Sequence, residues 1–312
     1  MNNEIHEISD EMLTLISDDL HSKNKEITKE QKKASLQKLT TYLKENNINL
    51  CQVSSVASHS LFGFLFVQHY YYKEIIPPLL PYVDINKMPD SLHSPWVGAA
   101  TSCNAKLITK LSEKGTDGIN DYSKSNGFRN GEPLGIMTSL YYDENKKKNP
   151  YRGEKPYVIT TEKLEKFIKG PLTALLKAGA NPNSFFNDIS GNDTHCVFPV
   201  LDNAAYLSSS QYLNVLCLYL EHGFNYNLVY DKKTGDNYLQ YLIKNNLTQA
   251  DNSVDILLSY LPIDTTYKNK KEQTISDFLE KYKIKDKTRT VIEKSLLNQI
   301  NSSSSKLQVN RL

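Results

Sequence analysis

The chain has 312 residues, with 37 Lys and Arg against 35 Asp and Glu and a formal net charge of +2; so weak a field excludes nucleic acid and anionic membrane as main partners. Hydrophobic residues make up 39% and charged residues 23%, enough apolar content for a folded core over most of the length. Cys51, Cys103, Cys196 and Cys217 follow no framework spacing, so free and mostly buried thiols in a reducing, cytoplasmic compartment are expected.

The first residues, MNNEIHEISDEM, carry acid where an export signal would carry base and then a long apolar run, so no general export signal is expected. Two amphipathic helices follow, over Glu4–Leu20 and Glu30–Lys44. Ile8, Met12, Ile16 and Leu20 form the stripe of the first, and Leu36, Leu39, Thr40 and Leu43 that of the second. Glu4, Glu7, Asp10 and Glu11 suit the positive end of the first helix dipole. Asp18 and Asp19 lie off its stripe and are expected in solvent. Asn46–Asn49 ends the second helix, and residues 1–56 read as a separate N-terminal helical element. Leu61–Val67, the longest apolar run, is too short to span a bilayer.

Ser94–Asn120 is the most legible stretch. Ser94-Pro95 opens a helix, because Pro is welcome in the first turn. Gly98, Ala99 and Ala100 suit close packing against a neighbour. After a break at Ser102–Asn104, Leu107, Ile108 and Leu111 mark a second helix, which Lys114-Gly115 closes with the residue best able to turn left-handed.

This helix–turn–helix resembles an ankyrin repeat, whose opening T-P-L-H-x-A recurs on a period of about 33 residues. The opening stands here as Ser94-Pro95-Trp96-Val97-Gly98-Ala99-Ala100, and the closing as Leu111, Gly115, Asp117 and Asn120. Closings recur at Leu175–Asn183, at Leu218–Asn227 and, one residue shorter, at Leu79–Asn86. Openings recur at Glu132–Met137 and Phe198–Ala205. Pro95 to Gly115 spans 115 − 95 = 20 positions, and Pro199 to Gly223 spans 24, with Ser208–Gln211 taking up the excess. Pro133 to Gly179 spans 46, so about 26 residues are inserted, and polar Tyr141–Thr161 with Lys146-Lys147-Lys148 holds them as a solvated loop. Degenerate units are read at Gly235–Ile243 with Val254–Asp264, at Thr274–Leu279 with Val291–Leu297, and at Ser60–Leu65 with Ile75–Asn86. The resemblance therefore implies an all-α fold, an ankyrin-repeat-like solenoid of about six units over residues 57–300. Residues 301–312 read as a Ser-rich flexible tail.

Motifs for chemistry are sparse. His195-Cys196, with His222 and Cys217, invites a nucleophile reading, but adjacent residues seldom meet the geometry of base and thiolate, so structural thiols are expected. No C-x-x-C pair or common His/Cys ligand spacing marks a metal site, and no cofactor is expected. Gly127–Gly131 lacks the strand before and the Lys-Ser/Thr after that a phosphate loop needs.

What remains is a surface. Ankyrin stacks bind partner proteins through a concave face and the turns between repeats, and the resemblance implies that function here, for a monomer without catalysis of its own. The turns are Lys87–His93, Asp121–Gly131, Ser184–Thr194, Leu228–Gly235 and Lys268–Glu272. Gly115 to Pro133 is 18 positions and Gly179 to Pro199 is 20, against about 13 in the family pattern. The candidate binding residues on these turns are Tyr122, Phe128, Arg129, Phe185, Phe186 and Tyr230, aromatic and Arg types that anchor interfaces. Phe185 and Phe186 can equally pack between adjacent turns. The Lys/Asn-rich composition is similar to that of ankyrin-type effectors that intracellular bacteria deliver into host cells, which would make the partner a host protein and Ser302–Leu312 a delivery signal. The alternatives are a small catalytic element outside the repeats, and an intracellular scaffold or immunity-type protein of the producing cell.

Overall fold

Helix is the main element of the computed structural model, which describes residues 5–16, 20, 27–54, 60–69, 75–89, 92, 94–122, 131–138, 162, 166–187, 193–197, 209–244, 264, 266–284, 286 and 289–298. Two compact units divide the chain, Met1–Asn192 and Asp193–Leu312. The insertion at 141–161, the closing segment up to 263 and the tail from 301 lie outside the described residues.

In the first unit, α1 covers Asp10–Leu15 and α2 covers Lys29–Glu45. The expected start of α1 at Glu4 is corrected by its cap. Ser9 accepts the Met12 N–H, and residue 6 is tied as extended chain through the His6 N–H to the Gln52 carbonyl at 2.9 Å, so no helix can form before it. The stripe is as read at Met12, Ile16 and Leu20, all buried. A capping box of Thr28 and Gln31 opens α2, which buries Ser35, Leu39 and Leu43. Next come α3 (Leu61–His69) and α4 (Ile76–Leu79). Pro77, Pro78 and Pro81 withhold backbone donors there, and the chain continues as short tight turns at Leu80–Tyr82 and Ile85–Lys87.

Ser94 caps α5 (Pro95–Ser102), and Asn104 caps α6 (Ala105–Ser112). Between them Cys103 sits left-handed at φ 47, inside the break read at Ser102–Asn104. Trp96, Ala99, Ala100, Ile108 and Leu111 are fully buried. Residues 133–138 are helical. A wide helical turn at Ile168–Leu172 holds Pro171 and leads into α7 (Thr173–Lys177), and strand β1 (Phe185–Asn187) follows. Helices α3 and α5 pack on each other, as do α2 with α4 and α6 with α7. The helix that follows Ser60 thus meets the one that follows Ser94, and the helix before Gly115 meets the one before Gly179.

In the second unit, β2 (Asp193–His195) precedes α8 (Ser209–Glu221). Ser209, Ser210 and Gln211, within the stretch expected to take up the excess, belong to α8. β3 (Val229–Asp231) pairs antiparallel with β4 (Asp236–Asn237), Val229 opposite Asn237. α9 (Tyr238–Lys244) packs on both strands and on α10 (Ile275–Lys281). Residues 289–298 are helical. Among the described residues, no helix is long and apolar enough to cross a membrane.

Three helices stop in the same way. After α2, α7 and α8 a left-handed residue follows: Asn47 (φ 50), Gly179 (φ 98) and Gly223 (φ 89). The next N–H reaches back five residues: Ile48 to Leu43 at 3.0 Å, Ala180 to Leu175 at 3.0 Å, and Phe224 to Tyr219 at 2.9 Å. This satisfies carbonyls that the helix end would leave open. Asn49, Asn181 and Asn225 come next. Each side-chain oxygen accepts the N–H two residues on, from Cys51 (3.1 Å), Asn183 (2.9 Å) and Asn227 (3.0 Å). The end of α2, in the N-terminal element, carries the same device as the closings at Gly179 and Gly223.

Candidate protein-binding surface

The turns after these helices are fixed by asparagines that bond the next turn along. Asn49 Nδ2 donates to the Asp84 carbonyl at 2.9 Å, and its Oδ1 accepts the Asp84 N–H at 3.1 Å. Asn120 does the same for the turn after α7: Nδ2 donates to the Gly179 carbonyl at 3.1 Å and Oδ1 accepts the Asn181 N–H at 2.7 Å. In the second unit, Asn227 Oδ1 accepts the Asp264 N–H at 3.2 Å. Asn86 lies so close to Gly115 that a Cβ there would sit 2.5 Å from its Oδ1. An amide side chain is suited to this work because it carries donor and acceptor side by side, the complement of one peptide edge.

Side chains on the turns take their places from this frame. Tyr122 is 43% exposed, and its hydroxyl donates to Asn187 Oδ1 at 2.6 Å. Phe185 is half-buried, and its carbonyl accepts the Glu132 N–H at 3.4 Å. Gly131 bridges antiparallel to Phe186, and an added Cβ would lie 2.7 Å from the Phe186 Cβ, so only glycine permits the approach. Phe186 itself is 1% exposed. Of the two places expected for it, the exposed tip is ruled out and the packing between turns is found; a side chain already removed from water offers a partner nothing. Tyr230 is corrected likewise. It is 4% exposed and lies among His195, Tyr238 and Tyr241, with ring centroids at 5.4, 4.9 and 4.6 Å. Phe128 and Arg129 lie outside the described residues.

The histidine–cysteine pair is part of that aromatic cluster. His195 stacks on Tyr230 and meets Phe224 edge-on at 5.4 Å. Its Nδ1 accepts the Val197 N–H at 3.1 Å, which places the ring proton on Nε2; Cys196 Sγ lies 3.9 Å from that same Nδ1. Burial, with Lys232 as a lesser cause, pulls the imidazole down to about 3. A base so weak and already hydrogen-bonded is a poor acceptor for a thiol proton, and the pair acts as core. Burial, helped by Asp84, pushes the Cys51 thiol up to about 12, so it rests protonated. Cys103 is exposed and Cys217 half-buried.

The asparagine clamps were not foreseen from the sequence, although part of their signal is there: Asn86, Asn120, Asn183 and Asn227 end the closing motifs one after another, and Asn49 follows α2. Asn187, which holds the Tyr122 hydroxyl, stands in no such series. No protein-family model and no curated protein matches this chain.

Proposed function

We propose that this chain is a protein-binding module built from ankyrin-like stacked units, which takes a partner protein on the face formed by its inter-helix turns and does no chemistry of its own. The observation that carries the reading is Tyr122. It is a large aromatic side chain left 43% exposed, fixed at its hydroxyl by Asn187 and rooted two residues from the Asn120 clamp. An aromatic group held in one place loses little entropy when a partner closes on it, which is what makes such residues interface anchors. Like-on-like helix packing and the repeated helix stop support the stacked reading. The setting proposed with it is delivery into a host cell, where a host protein is the partner.

A photo-crosslinking phenylalanine analogue at position 122 tests the surface, with exposed Lys110 on α6 as the control position. In host-cell lysate, position 122 is expected to give a discrete adduct that unlabelled protein competes away and the Tyr122→Ala variant does not. No adduct from 122, or the same adducts from 122 and 110, overturns the reading. Delivery is tested separately, by a translocation reporter fused to the chain with and without Ser302–Leu312.

A further inference from the structure

The second unit carries a lysine-tipped double loop. The turn of the β3–β4 hairpin and the loop at 267–273 are bound by one backbone and two side-chain hydrogen bonds: the Lys270 N–H donates to the Thr234 carbonyl at 3.1 Å, Lys270 Nζ to the Lys232 carbonyl at 2.6 Å, and the Tyr267 hydroxyl to the Gly235 carbonyl at 2.6 Å. From inside, Asn269 Nδ2 donates at 2.8 Å to Asp236 Oδ1. The Asp231 carboxylate closes the hairpin turn on the Lys233 N–H at 2.9 Å and the Thr234 hydroxyl at 2.8 Å. Gly235 is left-handed at φ 76, and Glu272, at φ 58, is left-handed too. Both loops are therefore held in one shape.

Lys232, Lys233, Lys268, Lys270 and Lys271 are exposed on this shape. Lys232 pairs with Asp193 at 3.0 Å and Lys268 with Glu272 at 3.3 Å. Among the described residues Lys233, Lys270 and Lys271 have no carboxylate partner. Holding like charges together on a rigid loop costs repulsion; the Lys270 Nζ bond helps tie the loops, whereas Lys233 and Lys271 make no ion pair among the described residues. Leu228, just before β3, is 50% exposed and offers an apolar contact at the base of the hairpin.

We propose that this double loop docks an acidic, leucine-bearing segment of a partner protein, with Lys233, Lys270 and Lys271 pairing its carboxylates. The proposal rests on the reading of the turns as a protein-binding face and names the chemistry that one part of it accepts. A protein segment is favoured over a polyphosphate because three carboxylates, Asp193, Asp231 and Glu272, are interleaved with the five lysines. The local balance is 5 − 3 = +2. A nucleic-acid backbone, charged at every step, would meet those carboxylates, whereas a peptide can place Asp, Glu and Leu singly.

The test uses the full chain and a fluorescein-labelled peptide of alternating Glu, Asp and Leu, read by anisotropy. Controls are its Gln/Asn counterpart, an oligo-dT of equal length and phosphatidylserine vesicles. The acidic peptide is expected to bind at least about tenfold tighter than its neutral counterpart and to weaken with salt. The variant Lys233→Glu/Lys270→Glu/Lys271→Glu is expected to lose that preference and the Gln version of the same triple to lose part of it; Lys233→Gln/Lys271→Gln, which spares the Lys270 Nζ bond that ties the loops, is expected to lose part of it at an unchanged melting temperature. Equal binding of the two peptides, undiminished binding by the Gln triple, or tighter binding of oligo-dT or vesicles overturns the proposal. Tyr122→Ala is expected to bind the peptide normally, so the outcome is separate from that of the crosslinking at position 122.

Discussion

Asn120 shows how much one side chain can do in this architecture. Its amide spans the Gly179 carbonyl and the Asn181 N–H, so truncation removes two hydrogen bonds and frees the turn they hold. Asn120→Ala is expected to cost about 1–2 kcal/mol, read as a shift in the urea midpoint, while Asn120→Asp keeps the acceptor for Asn181 and costs less. Equal losses for Ala and Asp would show that the acceptor half of the clamp contributes nothing. His195 gives a pH signature. Its folded pKa, about 3, lies below its ordinary 6.5, so the unfolded chain binds a proton that the folded chain refuses. The stability this neutral, buried imidazole contributes is complete above about pH 6.5 and is lost as pH falls toward 3, by at most about 1.4 kcal/mol per pH unit. Urea midpoints taken between neutral and mildly acid pH should therefore fall more steeply for the natural chain than for non-titrating His195→Gln. Parallel slopes would mean that the ring is solvated.

At the scale of elements, what the sequence made legible was set by local signals strong enough to act alone. α5 and α6 follow from Ser94-Pro95, the break at Ser102–Asn104 and the apolar spacing of Leu107, Ile108 and Leu111. The short strands carry no such signal; three residues hold no period, and their place comes from contacts such as the Tyr267 hydroxyl on Gly235. That is why the sequence leaves Phe186 open between an exposed tip and packing between turns, and places Tyr230 at a tip. Each is the middle residue of a three-residue strand with its neighbours half-buried, and side chains alternate across a strand. A turn-tip aromatic therefore shows its direction only once the strand is known. The left-handed glycines allow the helix stops to be tested quantitatively. At Gly179 an added Cβ would meet nothing within 4 Å, so Gly179→Ala pays conformational strain alone, about 1–2 kcal/mol. At Gly235 the same Cβ would lie 2.8 Å from the Lys270 backbone nitrogen. Gly235→Ala is expected to cost more than Gly179→Ala by thermal melting, and the reverse order would contradict the packing of the double loop.

On the scale of the whole molecule, stability should be local. The Asn49–Asp84 and Asn120–Asn181 clamps, and the packing of α2 on α4, α3 on α5 and α6 on α7, are all internal to Met1–Asn192. The Asn227–Asp264 bond and the packing of α9 on α10 are internal to Asp193–Leu312. Period and spacing lead to the expectation of like pieces, because Pro and Gly punctuation recurs along the chain. They could not reveal where cohesion divides, because that depends on which side chains meet across a turn. If near-neighbour contacts carry the stability, as in stacked-repeat proteins, the fragment Met1–Asn192 should fold without the rest. It should show a helical circular-dichroism spectrum, a cooperative melt and, by hydrogen exchange, protection of α5, α6 and α7 as in the full chain. Asn120→Ala should destabilise this fragment by about the same 1–2 kcal/mol as the intact protein. A fragment that is helical but melts without cooperativity would place its cohesion beyond Asn192. The clamp would then be an ornament of the turns and not the device that holds successive pieces together.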